Sequence, residues 1–199
     1  MEIPIRAKVQ CTDGIAGEAT RVIVHPETKR ITRMVVKEVR APHVERLVPF
    51  KFVEDATGGR ISLRCSVQEL SRMQPFIRTE FVEKGDAYYG GTRPDARQVY
   101  AAPQIRKVKR ENVAPGELAM VAGTRVRAAD GNAGRLDEFV VEPESGSITH
   151  LMLREGHVWA PKEVTVPISE VDRIAEKTVY LRMNRASVEA LPAMPVRKG

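Results

Sequence analysis

The sequence predicts a mainly β protein, built as two tandem small β-barrels that each end in a short helical turn. Three observations lead there. A stretch of thirty-one residues, 8–38, recurs without a gap at 125–155, at a constant offset of 117. Its apolar positions alternate as strands require, and its Gly and Pro residues stay in phase at the turns. The match then continues at an offset of 118, where Leu47-Val48-Pro49 aligns with Thr165-Val166-Pro167 and Val53 with Val171. A duplicated structural unit accounts for all three.

Residues 1–7 read as a first strand, with Ile3 and Ile5 alternating. The dipeptides Asp13-Gly14 and Asp130-Gly131 mark turns, because Asp bonds nearby backbone and Gly accepts positive φ. Gly17 and Gly134 follow at the start of the next strand, where a missing side chain permits a bulge or close backbone approach. Strands are expected at 18–25 and 135–142, then at 31–38 and 148–154. Between them lie two Pro-led turns, Pro26 to Lys29 and Pro143 to Gly146. Gly146 suits the left-handed position that closes such a turn, whereas Lys29 adopts it at some cost. Further on, Ile61-Ser62-Leu63 and Val179-Tyr180-Leu181 alternate as strands. Ser66 and Glu69 have capping-box spacing, which predicts one or two helical turns. The D-G-x-x-G pattern is a poor phosphate loop, since neither a helix nor a Lys-Ser/Thr follows it.

The order D-G-x-x-G, apolar strand, P-E-x-x-x-I, apolar strand, V-P-x-x-x-V resembles the PRC-barrel domain, once from Asp13 to Val53 and again from Asp130 to Val171. That family includes the cytoplasmic part of the H subunit of bacterial photosynthetic reaction centres and the C-terminal domain of a ribosome maturation factor. The resemblance implies a barrel rather than a site, and so says more about fold than about function. Three roles are compatible with it. They are a non-enzymatic adaptor, an RNA- or ribosome-associated assembly factor, and an H-subunit-like component of photosynthetic electron transport.

The division expected from the repeat is 1–82, a linker at 83–118, and 119–199. Each copy is near the size at which one core gives only a few kcal/mol. The copies should therefore pack on each other pseudo-symmetrically, or the chain should associate with itself. Basic and acidic residues number 14 and 10 in the first copy, 7 and 5 in the linker, and 11 and 11 in the second copy. The positive excess thus lies in the first copy and the linker. Two Cys and no signal peptide point to a reducing, cytoplasmic setting. No apolar run approaches the roughly 20 residues that span a bilayer.

Cys11 and Cys65 align with Ala128 and Met183, so both read as buried small hydrophobes. Were their strands neighbours, the two could bond, an outcome that a reducing setting disfavours. The four His are scattered, and neither a His-Glu-x-x-His pattern, a nucleophile elbow, a Walker loop nor a dinucleotide fingerprint occurs. No enzymatic activity, cofactor or metal is expected. Asp13, Gly14, Gly17, Asp130, Gly131 and Gly134 are read as structural turn residues.

Function then falls to outer faces and loops. Arg106, Lys107, Lys109 and Arg110 form the densest basic run, with Tyr88, Tyr89 and Tyr100 nearby, a composition suited to gripping nucleic acid. The plainer reading is a solvated connector. The loop from Gly156 to Pro161 reads as four residues longer than its counterpart and carries His157 and the only Trp, Trp159. Duplicated modules share what folding needs, so this difference marks His157 and Trp159 as candidate partner contacts, the alternative being a Trp159 that folds back over its own barrel or plugs a barrel end or the seam between barrels. The resulting expectation is a cytoplasmic adaptor acting through protein–protein contacts.

Overall fold

The computed structural model describes residues 1–57, 59–84, 104–155 and 162–194. In chain order the first part holds β1 (Glu2–Pro4), β2 (Lys8–Cys11), β3 (Gly14–His25), β4 (Arg30–Glu38), β5 (Glu45–Pro49), β6 (Val53–Thr57), β7 (Arg60–Leu63) and α1 (Val67–Arg72). Then come β8 (Ile77–Lys84) and β9 (Gln104–Glu111). The last part holds β10 (Leu118–Met120), β11 (Arg125–Ala128), β12 (Gly131–Val141), β13 (Ile148–Glu155), β14 (Lys162–Pro167), β15 (Val171–Ala175), β16 (Thr178–Leu181), α2 (Arg185–Glu189) and β17 (Ala193–Met194). The protein is mainly β. No helix among the described residues is long and apolar enough to cross a membrane.

Strand pairing repeats as the sequence does. One sheet runs β5-β4-β3-β2-β7-β6 and the other β14-β13-β12-β11-β16-β15, with β17 beyond β14. The β2–β7 and β11–β16 pairs are parallel, and the others are antiparallel. Even the bridge between Arg46 and Pro75 has its equivalent in the pairing of Val164 with Ala193. Both paths are open at their ends, so pairing among the described residues does not close either copy into the expected barrel. The chain passes from β5 to β6 through one 3-10 turn, Phe50–Phe52, which carries it from one end of the path to the other without pairing.

Compactness divides the chain elsewhere than the repeat does. Met1–Phe76 and Val113–Gly199 form one unit, and Ile77–Asn112 forms another. The first unit is joined by an exchange that sequence reading misplaces. β1 does not pair within its own copy but with β12, setting Ile3 opposite Phe139. Reciprocally, β10 pairs with β3 of the first copy, setting Met120 opposite Val22. These two pairs are equivalent under the 117-residue offset. Long strands make the exchange feasible. β3 gives its first half to β2 and its second half to β10, along the edge opposite β4. All four side chains are fully buried, within one apolar core that runs through both copies.

The Pro-led turns also meet. The Ile31 N–H donates to the Gly146 carbonyl and the Ile148 N–H to the Lys29 carbonyl, each at 2.9 Å. Lys29 and Gly146 both hold left-handed backbone, with φ of 51° and 69°. At 146 only Gly fits, because a Cβ there would lie 2.8 Å from both the Ile31 carbonyl and the Phe50 ring. At 29 the strain is offset differently: Lys29 Nζ donates to the carbonyls of Ile168 and Val171, at 3.1 and 2.8 Å.

Gly17 is a second position that no other residue can hold. It sits at a register shift between β2 and β3, with φ of 155°. A Cβ there would lie 1.8 Å from the Lys37 carbonyl oxygen on β4. The close approach is to backbone, which cannot swing aside. Gly17→Val is therefore expected to destabilise the fold by more than about 2 kcal/mol. Thermal unfolding checks this, and an unchanged melting temperature would contradict the packing described.

Candidate functional site

The two turn aspartates do a different job from the one their spacing suggests. Asp13 Oδ1 accepts from the Val67 N–H, and Asp130 Oδ1 from the Arg185 N–H, each at 2.8 Å. Each carboxylate thus holds the first turn of its own copy's helix rather than closing its own turn. Ser66 completes a capping box with Glu69, and Asn184 accepts from the Ser187 N–H. Hydrogen bonds from the Ser66 backbone and hydroxyl hold the Glu69 carboxyl below its usual range. The neighbouring glycines Gly14, Gly17, Gly131 and Gly134 all hold positive φ.

The loop carrying His157 and Trp159 lies outside the described residues, as do Tyr88, Tyr89 and Tyr100. Its length, however, is fixed by the strands on either side. The Glu38 N–H donates to the Val44 carbonyl in the first copy, and Glu155 pairs with Lys162 in the second. The connections are thus 39–43 and 156–161, one residue different rather than four. Sequence alignment lost count because the offset changes inside this loop.

The basic run is not a featureless connector. β8 and β9 form an antiparallel ribbon from Ile77 opposite Glu111 to Lys84 opposite Gln104. Phe81, Ile105, Lys107 and Lys109 fall on one face by alternation, and Val82, Arg106 and Arg110 on the other. Phe81 and Ile105 are 66% and 60% exposed. Lys107 Nζ lies 5.8 Å from the Phe81 ring centroid. Glu80 is held by Arg78 at 2.6 Å and Arg110 at 3.1 Å. The ribbon strands carry six basic residues and three acidic ones.

A second surface was missed entirely. Arg127 on β11 pairs across to Tyr180 on β16, and Tyr180 across to Arg173 on β15. The three form a row over adjacent strands and line an open depression of about 460 Å³, with Ala128 and Leu181 also lining it. The Arg173 guanidinium lies 4.2 Å from the Tyr180 ring centroid. The equivalent row in the first copy is Gln10, Ser62 and Asp55. Aligning the copies residue by residue at outward positions would have found it.

Two further groups differ between the copies. Cys11 and Cys65 are free, buried, and 4.0 Å apart at sulfur. Burial, then the neighbouring Cys65, pushes the Cys11 thiol up to about 12, so it behaves as a small apolar side chain. At the position of Arg21, which pairs with Glu45 at 2.9 Å and lies 4.8 Å from the Phe76 ring, the second copy has Glu138.

No family model matches this sequence, and no curated protein matches it either.

Glu138 gives this region a pH dependence. Burial, then the charges of Asp137, Glu2 and Glu163, raises its carboxyl from 4.5 to about 7, against the opposing pull of Arg154. The folded chain thus holds this proton more tightly than the unfolded chain does, and stability falls as pH rises from about 4.5 through about 7. Glu138→Gln is expected to stabilise by about 1–2 kcal/mol at about pH 8, the partial exposure of the site reducing the full effect. The gain should vanish below about pH 4.5. Equal melting temperatures for both proteins at the higher pH would contradict this account.

Proposed function

We propose that the chain is a non-enzymatic adaptor, made of two PRC-barrel-like repeats, that acts through protein–protein contacts. The observation that carries this reading is where the side chains go. Inward positions of both copies merge into one apolar core, so binding chemistry is left to outward residues and loops. The turn aspartates are engaged in holding helices, and the thiols are buried. The cytoplasmic setting expected from the two cysteines belongs to the same proposal, as does partner contact through His157 and Trp159.

A second reading is favoured by the ribbon. Its exposed Arg106, Lys107, Lys109 and Arg110, with Phe81 on the face of the two lysines, suit contact with nucleic acid phosphates. The aromatic share is small, however, and Glu80 takes up part of the charge.

Capture from a native extract separates the two. The immobilised chain is expected to retain a protein partner after nuclease treatment and at physiological salt, and Trp159→Ala to weaken that retention without lowering the melting temperature. Loss of retention with nuclease would overturn the adaptor reading. So would direct nucleic-acid binding whose salt slope drops by about 3 when Lys107, Lys109 and Arg110 are replaced by Ala.

A further inference from the structure

We propose that the Arg127–Tyr180–Arg173 row is a docking site for an acidic protein segment, one bearing carboxylates two residues apart; this rests on the adaptor reading. The two copies have the same folding requirements, and the rows occupy equivalent strands, so the fold does not dictate Arg, Tyr and Arg here. In the first copy the same positions are Gln10, Ser62 and Asp55, and the Asp55 carboxylate there accepts a hydrogen bond from Thr57. The second copy therefore differs by two guanidiniums and an aromatic ring on one outward face.

The row is built to receive something. The Arg127 side chain makes no hydrogen bond or ion pair with a described residue, and among the described residues the Arg173 guanidinium meets only the Tyr180 ring, which leaves the donors of both open to a ligand. Three adjacent strands spaced by about 4.8 Å put the Arg127 and Arg173 backbones about 10 Å apart. Long side chains converging from that separation match alternate carboxylates of an extended peptide, which lie about 7 Å apart. Each guanidinium offers a bidentate fork to a carboxylate. Between them, Tyr180 supplies an amphipathic surface for the peptide backbone.

The balanced charge of the second copy suits a short acidic segment. Basic and acidic residues are equal in number across the second copy, 11 of each. Asp172 borders the depression, paired with Arg182 at 3.7 Å. Arg125 and Arg135, paired across β11 and β12, extend the basic surface on this face, so a phosphate backbone is the competing occupant that the test distinguishes. A peptide with two or three carboxylates needs only the row.

The test uses the full chain and a fluorescein-labelled peptide of alternating Glu and Ser, at low ionic strength. Binding is expected, and Arg127→Ala and Arg173→Ala should each weaken it by about tenfold. Arg127→Lys should recover only part of the loss, because Lys lacks the planar fork. Converting the row to that of the first copy, with Arg127→Gln, Arg173→Asp and Tyr180→Ser together, should abolish binding while the melting temperature holds, since Arg127 and Arg173 are exposed. No binding of the acidic peptide, or binding indifferent to the triple change, would overturn the proposal. Duplex DNA that competes through Arg127 would overturn it in favour of a phosphate site. In either case an adaptor that still captures its partner after the triple change would survive, so the two readings fail separately.

Discussion

Two three-residue strands hold this molecule together. β1 lies on β12 and β10 lies on β3, so each copy's leader completes the other copy's sheet. The bonded residues are few, but their position multiplies the effect. Ile3 and Met120 enter the opposite copy's interior, and the two cores become one. A copy of about eighty residues is marginal as an isolated core, because it buries too small a fraction of its surface. Sharing the interior removes that weakness, and the crossed turns at Lys29 and Gly146 add backbone hydrogen bonds between the copies.

The duplication has been kept where both copies meet the same physical demand and relaxed where they do not. Asp13 and Asp130 reach equivalent helix starts. Around the crossed turns the pairing is complementary instead: the bulky Phe50 faces Gly146, whereas Ile168 leaves its carbonyl to Lys29. At half-buried and exposed positions the copies diverge in charge. Arg21 gives way to Glu138, and Asp55 to Arg173.

Much of the fold was legible because its signals are local. The Asp-Gly turns, the alternating strands, the capping box at Ser66 and the left-handed Lys29 all follow from a few neighbouring residues. The strand exchange was not legible, since Ile3 fits an apolar strand edge in either copy equally well. The helix-capping role of Asp13 depends on Val67, fifty-four residues away, and no local rule contains that contact. The β8–β9 ribbon escaped because its alternation is between charge and apolar residues that stay exposed on both faces, so no buried face announces a period of two. The site was less legible than the fold. Trp159 stands out by composition alone, whereas the Arg127–Tyr180–Arg173 row needs a strand register before its members become neighbours.

Differential scanning calorimetry tests the central claim, that the exchanged strands make the two copies one cooperative body. If they do, the unit formed by Met1–Phe76 and Val113–Gly199 melts in one transition whose calorimetric and van't Hoff enthalpies agree. Ile3→Ala should lower that single transition without splitting it. Two resolved transitions, with Ile3→Ala moving only one of them, would contradict the account.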